Sequence, residues 1–422
     1  MLRGSKLFLQ GGEAMVGERP YVLVMGGSLA GLTAALTLRD AGCDVEVYER
    51  SNSPLTGLGA GIVLNPATVR YITAYGVLDV SEISVASHHV RYMDRDGGIA
   101  DEKSYDYRFS SYNALYQGLL NCFDAARYHL GETIIDFDQD DAGVNVHFAS
   151  GRSEHCDLLV CADGIRSTGR RLLCPGASLE YTGYIAWRGI VGEAELRPQT
   201  FATLREAITY HIMPDGHFLT YPIPIVDRSS GSTQALINWL WYRNIPQGVE
   251  LDDLTTDRDG VLREVSLYPG TVQERHIEKL RRNASSMLPP SLAEALICTA
   301  QPFIQIIYDC EVPNMAFGRV CLIGDAAFVA RPHAAAGTAK AAEDAWKLGE
   351  AIKEVGGDVV AALKRWEPGQ LQLGKAVLTR TRAAGQRLQF EGSWQIGEPL
   401  PFGLYEIGDS LMPEVNAHHR PS

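Results

Sequence analysis

The segment Val22-Leu-Val-Met-Gly-Gly-Ser-Leu-Ala-Gly31 constrains the fold more than any other part of the chain. Residues 21–25 are a short apolar run with β-branched members, as a parallel strand buried on both faces requires. A glycine-rich turn follows at once, and residues 32–38, rich in Ala and Leu, have the composition of a helix. Ala41-Gly42 ends that helix, and residues 45–49 read as the next strand. Strand, glycine turn, helix and strand make the opening βαβ unit of a dinucleotide-binding fold. Gly26 permits the tight turn, and Gly31 lets helix and sheet approach closely. The helix start at Ser28, Leu29 and Ala30 then turns its N–H groups to a pyrophosphate. Glu49, 23 residues after Gly26, stands where an acid takes a ribose hydroxyl, with Arg50 beside it. Ser28 occupies the position of the middle glycine. A βαβ unit without a nucleotide is the alternative; the agreement of turn, helix, second strand and acid favours a bound ADP moiety.

Charge and composition narrow the partners. The chain carries 38 basic and 51 acidic residues among 422, a net charge of −13, without a basic run. That balance argues against nucleic acid or an anionic membrane surface as a partner. No apolar stretch reaches the ~20 residues of a membrane span. Leu7-Phe8-Leu9 is too short for the core of a signal peptide, so residues 1–19 read as an extension of a cytoplasmic protein. The eight cysteines contain no CxxC pair and sit mostly in apolar runs, which suits free thiols in a reducing compartment. His88-His89 and His418-His419 are adjacent pairs rather than helical i, i+4 pairs, so no metal site is expected.

Later segments add chemistry. Residues 320–323 form an apolar strand ending in Gly324-Asp325, and Arg331-Pro-His-Ala-Ala-Ala-Gly337 then leads into a helix. An acid at the carboxyl end of a parallel strand can accept from a sugar hydroxyl. The helix start, at Ala335, Ala336, Gly337 and Thr338, can set N–H groups against an electron-rich ring edge. Cys161-Ala-Asp-Gly164 also ends a strand, and Asp163 with Arg166 and Ser167 suits phosphate and ribose contacts. Leu58-Gly-Ala-Gly-Ile62 is a glycine-rich loop whose Gly61 and Ile62 run into a further strand. From 181 to 241, strands alternate with turns and hold most of the aromatic residues, the pattern of an antiparallel sheet with one face covered. Residues 251–291 read as helical in pieces and 337–352 as a long helix. Residues 359–390 read as helix broken at Glu367-Pro-Gly369, and the Gly- and Pro-rich tail after Gly392 as a surface wrap.

In order and spacing, the glycine fingerprint, the central Asp163-Gly164 and the late Gly324-Asp325 resemble the motifs of the group A flavoprotein aromatic hydroxylases, over roughly residues 21–390. Residues 36–50, Asp215-Gly-His217, Tyr221-Pro-Ile-Pro224 and Arg331-Pro-His-Ala-Ala-Ala-Gly337 are similar to the branch of that family that acts on hydroxylated pyridine rings. The resemblance implies an α/β fold with a Rossmann-like FAD-binding domain, its parallel sheet of the glutathione-reductase type, over residues 20–80, 105–177 and 300–356. An inserted antiparallel β-sheet substrate domain, like that of p-hydroxybenzoate hydroxylase, would take 81–104 and 178–299, and a C-terminal helical region and tail 357–422. Also implied is non-covalent FAD, held at Gly26, Ser28, Leu29, Ala30, Gly31, Glu49, Arg50, Gly61, Ile62, Asp163, Asp325, Ala335, Ala336, Gly337 and Thr338. NADH or NADPH as a transient cosubstrate, O2 and a small aromatic substrate complete the implied set. The implied reaction is hydroxylation of an electron-rich ring of the 2,6-dihydroxypyridine kind through a flavin C4a-hydroperoxide. Another phenolic substrate such as salicylate or 6-hydroxynicotinate, oxidase chemistry, and a homodimer all stay open. The chain departs from the family at Phe328, where His is common, at Ala335, where glycine is common, and at Tyr112, where an arginine is expected.

Such a ring reacts best as its anion, so a side chain that shares the ring hydroxyl proton would help. Asp215-Gly216 reads as a turn, after which His217 and Tyr221, four apart on a strand, share a face. His333 lies between Pro332 and the helix start. For all three the alternative is structural: a hydrogen-bonded histidine, or an aromatic packed in the sheet. Arg188 faces opposite to Trp187 and can support FAD or substrate, whereas Trp187, Trp239 and Trp241 read as sheet packing.

Overall fold

The computed structural model describes residues 19–56, 61–226 and 233–412. The expected extension up to residue 18 and Leu58-Gly-Ala60 of the glycine-rich loop lie outside the described residues. Among those described, a six-stranded sheet runs Ala316–Phe317, Val320–Leu322, Leu158–Cys161, Tyr21–Met25, Asp44–Glu49, Tyr128–Leu130. Its pairings are parallel except that of Ala316–Phe317 with Val320–Leu322. Val22, Leu23 and Val24 are fully buried in it. Burial of each such side chain contributes about 1.5–3 kcal/mol, so a charge at any of them would break the centre of the sheet. Helix Leu29–Asp40 packs on helix Gly337–Glu354, where Thr37 Oγ1 donates to Ala345 O at 3.1 Å and Gly349 lies against Thr37.

A second sheet has nine strands among the described residues, in the order Ser266–Leu267, Phe303–Asp309, Glu180–Val191, Thr233–Asn244, Gly216–Val226, Ala207–Met213, Ser84–Met93, Ile99–Ser111, Gly61–Val63. Its pairings are antiparallel apart from Ala207–Met213 with Ser84–Met93. Alternation along the strands sends Trp187, Phe218, Trp239 and Trp241 into one apolar cluster beneath helices Glu274–Met287 and Pro290–Ile297. Tyr184, Leu219, Tyr221, Leu240 and Tyr242 go to the opposite face. A third, antiparallel sheet joins Ile134–Gln139, Val144–Phe148 and Ser153–Cys156.

Three expectations are corrected. Phe303–Asp309, placed with the FAD-binding region from sequence, pairs with Glu180–Val191 in the large sheet, because Ile304 and Ile306 join the tryptophan cluster. Residues 359–386 do not break at Pro368; one helix, Val359–Gln386, runs through it. An interior proline costs about 3 kcal/mol locally. Against that cost, Leu363, Trp366, Leu373 and Val377 are buried along one side of the helix. Glu367 also accepts the backbone N–H groups of Met315 at 2.7 Å and Ala316 at 3.0 Å, so packing prevails. The tail does more than wrap the surface: Trp394, Leu400 and Phe402 are buried on an apolar face that the large sheet leaves uncovered there, and Leu404 is buried against Ala334, Leu373 and Val377. The helix also explains Phe328, whose ring fills the space over Gly374, where a Cβ would come within 2.5 Å of it.

Candidate active site

A cavity of about 430 Å³ opens between the carboxyl ends of the parallel strands and the tyrosine face of the large sheet. At one end Ser28, Leu29 and Ala30, Asp325, and Ala335 to Thr338 line it, and Gly61 and Ile62 line it beside Tyr221. At the other end stand Arg188, Tyr210, His217, Tyr221, Tyr242, Gln305 and His333, and Trp394 with Leu400-Pro-Phe402 closes the side. The starts of helices Leu29–Asp40 and Gly337–Glu354 therefore face one space, each with its free N–H groups and positive dipole end.

The glycine turn is built as the sequence demands, but its acid serves the turn. Gly26 has φ +101°, and an added Cβ would sit 2.5 Å from Ala162 O; one on Gly31 would collide with Gly26 O. Glu49 is buried, and its two oxygens accept Gly27 N–H at 2.8 Å and Ser51 N–H at 2.9 Å. It braces the turn and does not line the cavity. Arg50 is exposed and lies outside the lining. Ser28 Oγ and Tyr112 OH share a hydrogen bond of 2.7 Å at the cavity edge, so hydroxyls stand where a glycine and an arginine were expected.

Asp163 is also committed to the backbone. It accepts Ser167 Oγ at 2.5 Å and Thr168 N–H at 2.6 Å at the start of helix Thr168–Leu173, while Ala162 and Gly164 on either side line the cavity. Burial raises its carboxyl above the usual range, against the pull of those hydrogen bonds. Asp325 faces the cavity. Its carboxylate is open to solvent from that side and crowded by protein on the others; the crowding pushes it up to about 6, partly opposed by Arg170. Among the described residues, Ala335 is the one non-glycine with positive φ, +52°. That conformation costs an L-residue roughly 1–2 kcal/mol. It is held between buried His333 and Ala334 on one side and the helix start on the other, and Gly403 N–H donates to Ala334 O at 3.1 Å.

The aromatic end holds two histidines without charge. His217, 1% exposed, stacks on Tyr242 with ring centroids 4.6 Å apart, and burial pushes it down to about 3. His333, 5.5 Å from His217 between centroids, is driven well below the usual histidine range by burial, then by His217 and Arg331. His333 Nε2 and Tyr184 OH share a hydrogen bond of 2.8 Å. Tyr221 lines the cavity but donates its hydroxyl to Gly61 O at 2.9 Å, and burial raises its pKa against the opposing effect of Arg188. Arg188 Nη1 donates to Gln305 Oε1 at 2.6 Å, and no carboxylate pairs with this guanidinium among the described residues.

Sequence reasoning missed Tyr210, Tyr242, Gln305 and the side wall at 394–402. The strand parity that placed His217 and Tyr221 also places Tyr210 and Tyr242. Large apolar residues in a Gly- and Pro-rich tail were the signal for the wall.

Residues 307–381 match a family profile described as FAD binding domain, and residues 181–309 one described as FAD binding domain-like. The chain is 37% identical over 390 residues to 2,6-dihydroxypyridine 3-monooxygenase of Paenarthrobacter nicotinovorans, covering 92% of this chain and 96% of that protein. It is 25% identical over 406 residues to 6-hydroxynicotinate 3-monooxygenase of Bordetella bronchiseptica, covering 89% and 92%. The solved structure of 2,6-dihydroxypyridine-3-hydroxylase from Arthrobacter nicotinovorans superposes with a TM-score of 0.87 at 36% identity, over 94% of this chain and 99% of that one. A salicylate hydroxylase substrate complex, at 21% identity and a TM-score of 0.69 over 90% of each chain, shares the fold. The two sheets, the helix starts at 28–31 and 335–338 and the relationship across nine-tenths of the chain agree: the chain belongs to the FAD-dependent aromatic hydroxylases.

Proposed function

We propose that the chain hydroxylates an electron-rich N-heteroaromatic ring of the 2,6-dihydroxypyridine kind, with O2 and NADH, or NADPH in its place. In balance, a ring C–H, O2, NADH and a proton give a ring C–OH, water and NAD+. The observation that carries this reading is the aromatic end of the cavity, which two uncharged buried histidines line together with the Arg188 guanidinium, while Arg331 stands near His333. The relatives at 37% and 25% identity, named for a dihydroxypyridine and a hydroxynicotinate, point to the same substrate chemistry.

The residues fit FAD. The start of helix Leu29–Asp40 and the Ser28 and Tyr112 hydroxyls can receive a pyrophosphate, Asp325 can accept from a ribityl hydroxyl, and the helix start at Ala335 to Thr338 can set N–H groups on the flavin edge. Glu49 and Asp163 act one step back, by fixing the turns that these groups stand on. When bound, FAD supplies the activation of O2 and delivery of one oxygen atom to the ring. The chain itself orients the ring, excludes water with the wall at Trp394 and Phe402, takes up the ring hydroxyl proton through His333 and holds a ring oxygen by a hydrogen bond from His217, with Tyr221 shaping the pocket. Arg188, lacking a carboxylate partner, also favours a second reading in which the ring bears a carboxylate, as in 6-hydroxynicotinate.

Purified protein should be yellow, with about one FAD per chain. A panel of hydroxypyridines, 6-hydroxynicotinate, salicylate and 4-hydroxybenzoate, scored by NADH oxidation and by incorporation of labelled O2, tests the assignment. Best turnover on a ring without hydroxyl or amine would overturn it. Among the described residues no helix is long and apolar enough to cross a membrane. A cytoplasmic setting, where NADH is supplied, belongs to this proposal, and light scattering tests the homodimer.

A further inference from the structure

The long helix Val359–Gln386 does not end in an ordinary cap. It passes into a π-helical turn, Arg387–Glu391, before Gly392 reverses the chain at φ +58°. Such turns widen the helix by one residue and recur at functional sites. This one carries Gln389, fully buried, to the edge of the tyrosine face of the sheet. Its backbone carbonyl accepts Asn244 Nδ2 at 2.6 Å, which clamps the turn to strand Thr233–Asn244 two residues beyond Tyr242. Its side-chain Nε2 donates to His217 Nδ1 at 2.8 Å.

A neutral imidazole carries one proton, and the partner of one nitrogen decides where it sits. In the amide orientation of the structure Gln389 Nε2 donates to Nδ1 and its Oε1 is left without a partner, which places the proton of His217 on Nε2. The ring faces are taken by Tyr242 at 4.6 Å and Tyr210 at 6.2 Å between centroids, both nearly parallel to it. Nε2 has no hydrogen-bond partner among the described residues, and His217 lines the cavity. We propose that Gln389 is a positioning residue that locks His217 in the Nε2–H form, so that the ring presents a fixed hydrogen-bond donor to an oxygen on the substrate ring. This rests on the reading of the aromatic end as the substrate site.

The chemistry favours a glutamine over its neighbours in size. A glutamate would accept from Nδ1–H, draw the proton to that nitrogen and turn a lone pair on Nε2 toward the substrate oxygen. That lone pair would repel the ring anion. A leucine would leave the tautomer undetermined. Glutamine holds the donor outward and adds no charge beside an uncharged imidazole. His217 in this state is no base, because one nitrogen is protonated and the lone pair of the other is occupied. Any transfer of the ring hydroxyl proton falls to His333, whose Nε2 is paired with Tyr184.

The test is 15N NMR of histidine-labelled, FAD-loaded protein, with the His217 signals assigned by loss in His217→Phe. Wild type should show Nε2 protonated and Nδ1 bare. Gln389→Glu should move the proton to Nδ1, and Gln389→Leu should give a mixture. Both variants should keep FAD, and their ratio of hydroxylated product to peroxide should fall on the order of tenfold, the effect of one lost or reversed hydrogen bond. A wild-type ring protonated on Nδ1, or a tautomer unmoved by Gln389→Glu in protein that retains FAD, overturns the proposal. The wild-type spectrum decides the tautomer even if a variant fails to fold. A tautomer that moves while coupling stays at the wild-type value overturns the role of His217 toward substrate and leaves the control by Gln389 standing.

Discussion

Replacing His217 by Phe should flatten the loss of stability in acid, by an amount that the burial of His217 sets. In the unfolded chain the imidazole titrates at 6.5; in the folded protein burial lowers this to about 3. A depressed folded pKa means that the unfolded chain takes up a proton that the native protein refuses. Stability is therefore full above pH 6.5 and is lost as the pH falls from 6.5 toward 3. At pH 5, one and a half units below the unfolded value, the loss is about 2 kcal/mol, at ~1.4 kcal/mol per unit. The variant also loses the Gln389 hydrogen bond, which lowers its stability by a similar amount at every pH and drops out of the comparison. Asp325, raised in the opposite sense, shapes the slope of both proteins and cancels in the difference, whereas His333, depressed in part by His217, is relieved in the variant, which flattens the loss further. Urea unfolding of both proteins at pH 8 and pH 5 provides the measurement. The gap between them should narrow by about 2 kcal/mol in acid. If the two lose stability in parallel, His217 is protonated in the native state, the aromatic end of the cavity is wet, and its use as a neutral donor fails.

His333→Ala should keep FAD and much of the NADH oxidation while raising the peroxide-to-product ratio. A tenfold slower attack needs only ~1.4 kcal/mol of barrier, and wild-type coupling would make His333 structural. Gly31→Ala drives a methyl into Gly26 O. It should cost on the order of 1–3 kcal/mol of stability and lower flavin content per chain, read from absorbance. Phe402→Ala removes a ring that is 4% exposed. It should destabilise by about 3–5 kcal/mol and let water reach the substrate end. Unaltered peroxide formation in folded Phe402→Ala would show that this wall does not exclude water.

What could be read from the sequence was what depends on near neighbours. The positive φ of Gly26 and the contact of Gly31 with Gly26 O are set within one short turn of chain, so their spacing discloses them, although the backbone that crowds Gly26, at Ala162, is distant in sequence. Glu49 and Asp163 are harder, because a carboxylate at a strand end can face a ribose or a backbone N–H. The choice lies with the loops at Gly27 and Thr168, which claim both acids. Pro368 signalled a break by a sound local rule, outweighed by the buried side of a helix whose partners lie far away in sequence. The wall at 394–402 has no periodicity, and its burial depends on the whole large sheet being in place. Gln389 reaches His217 across 172 residues through a π turn that no composition announces.

The hydrogen bond from Gly403 N–H to Ala334 O has a consequence for how the protein is made. Synthesis at 5–20 residues per second separates the glycine turn at 26–31 from the wall at 394–402 by roughly 20–70 s. During that interval the nascent chain has the turn that grips a nucleotide but lacks the segment that encloses a ring and steadies the strained loop at Ala335. The finished pocket is therefore decided by the last part of the described chain to leave the ribosome. A lesion there reaches the chemistry as directly as one in the glycine turn.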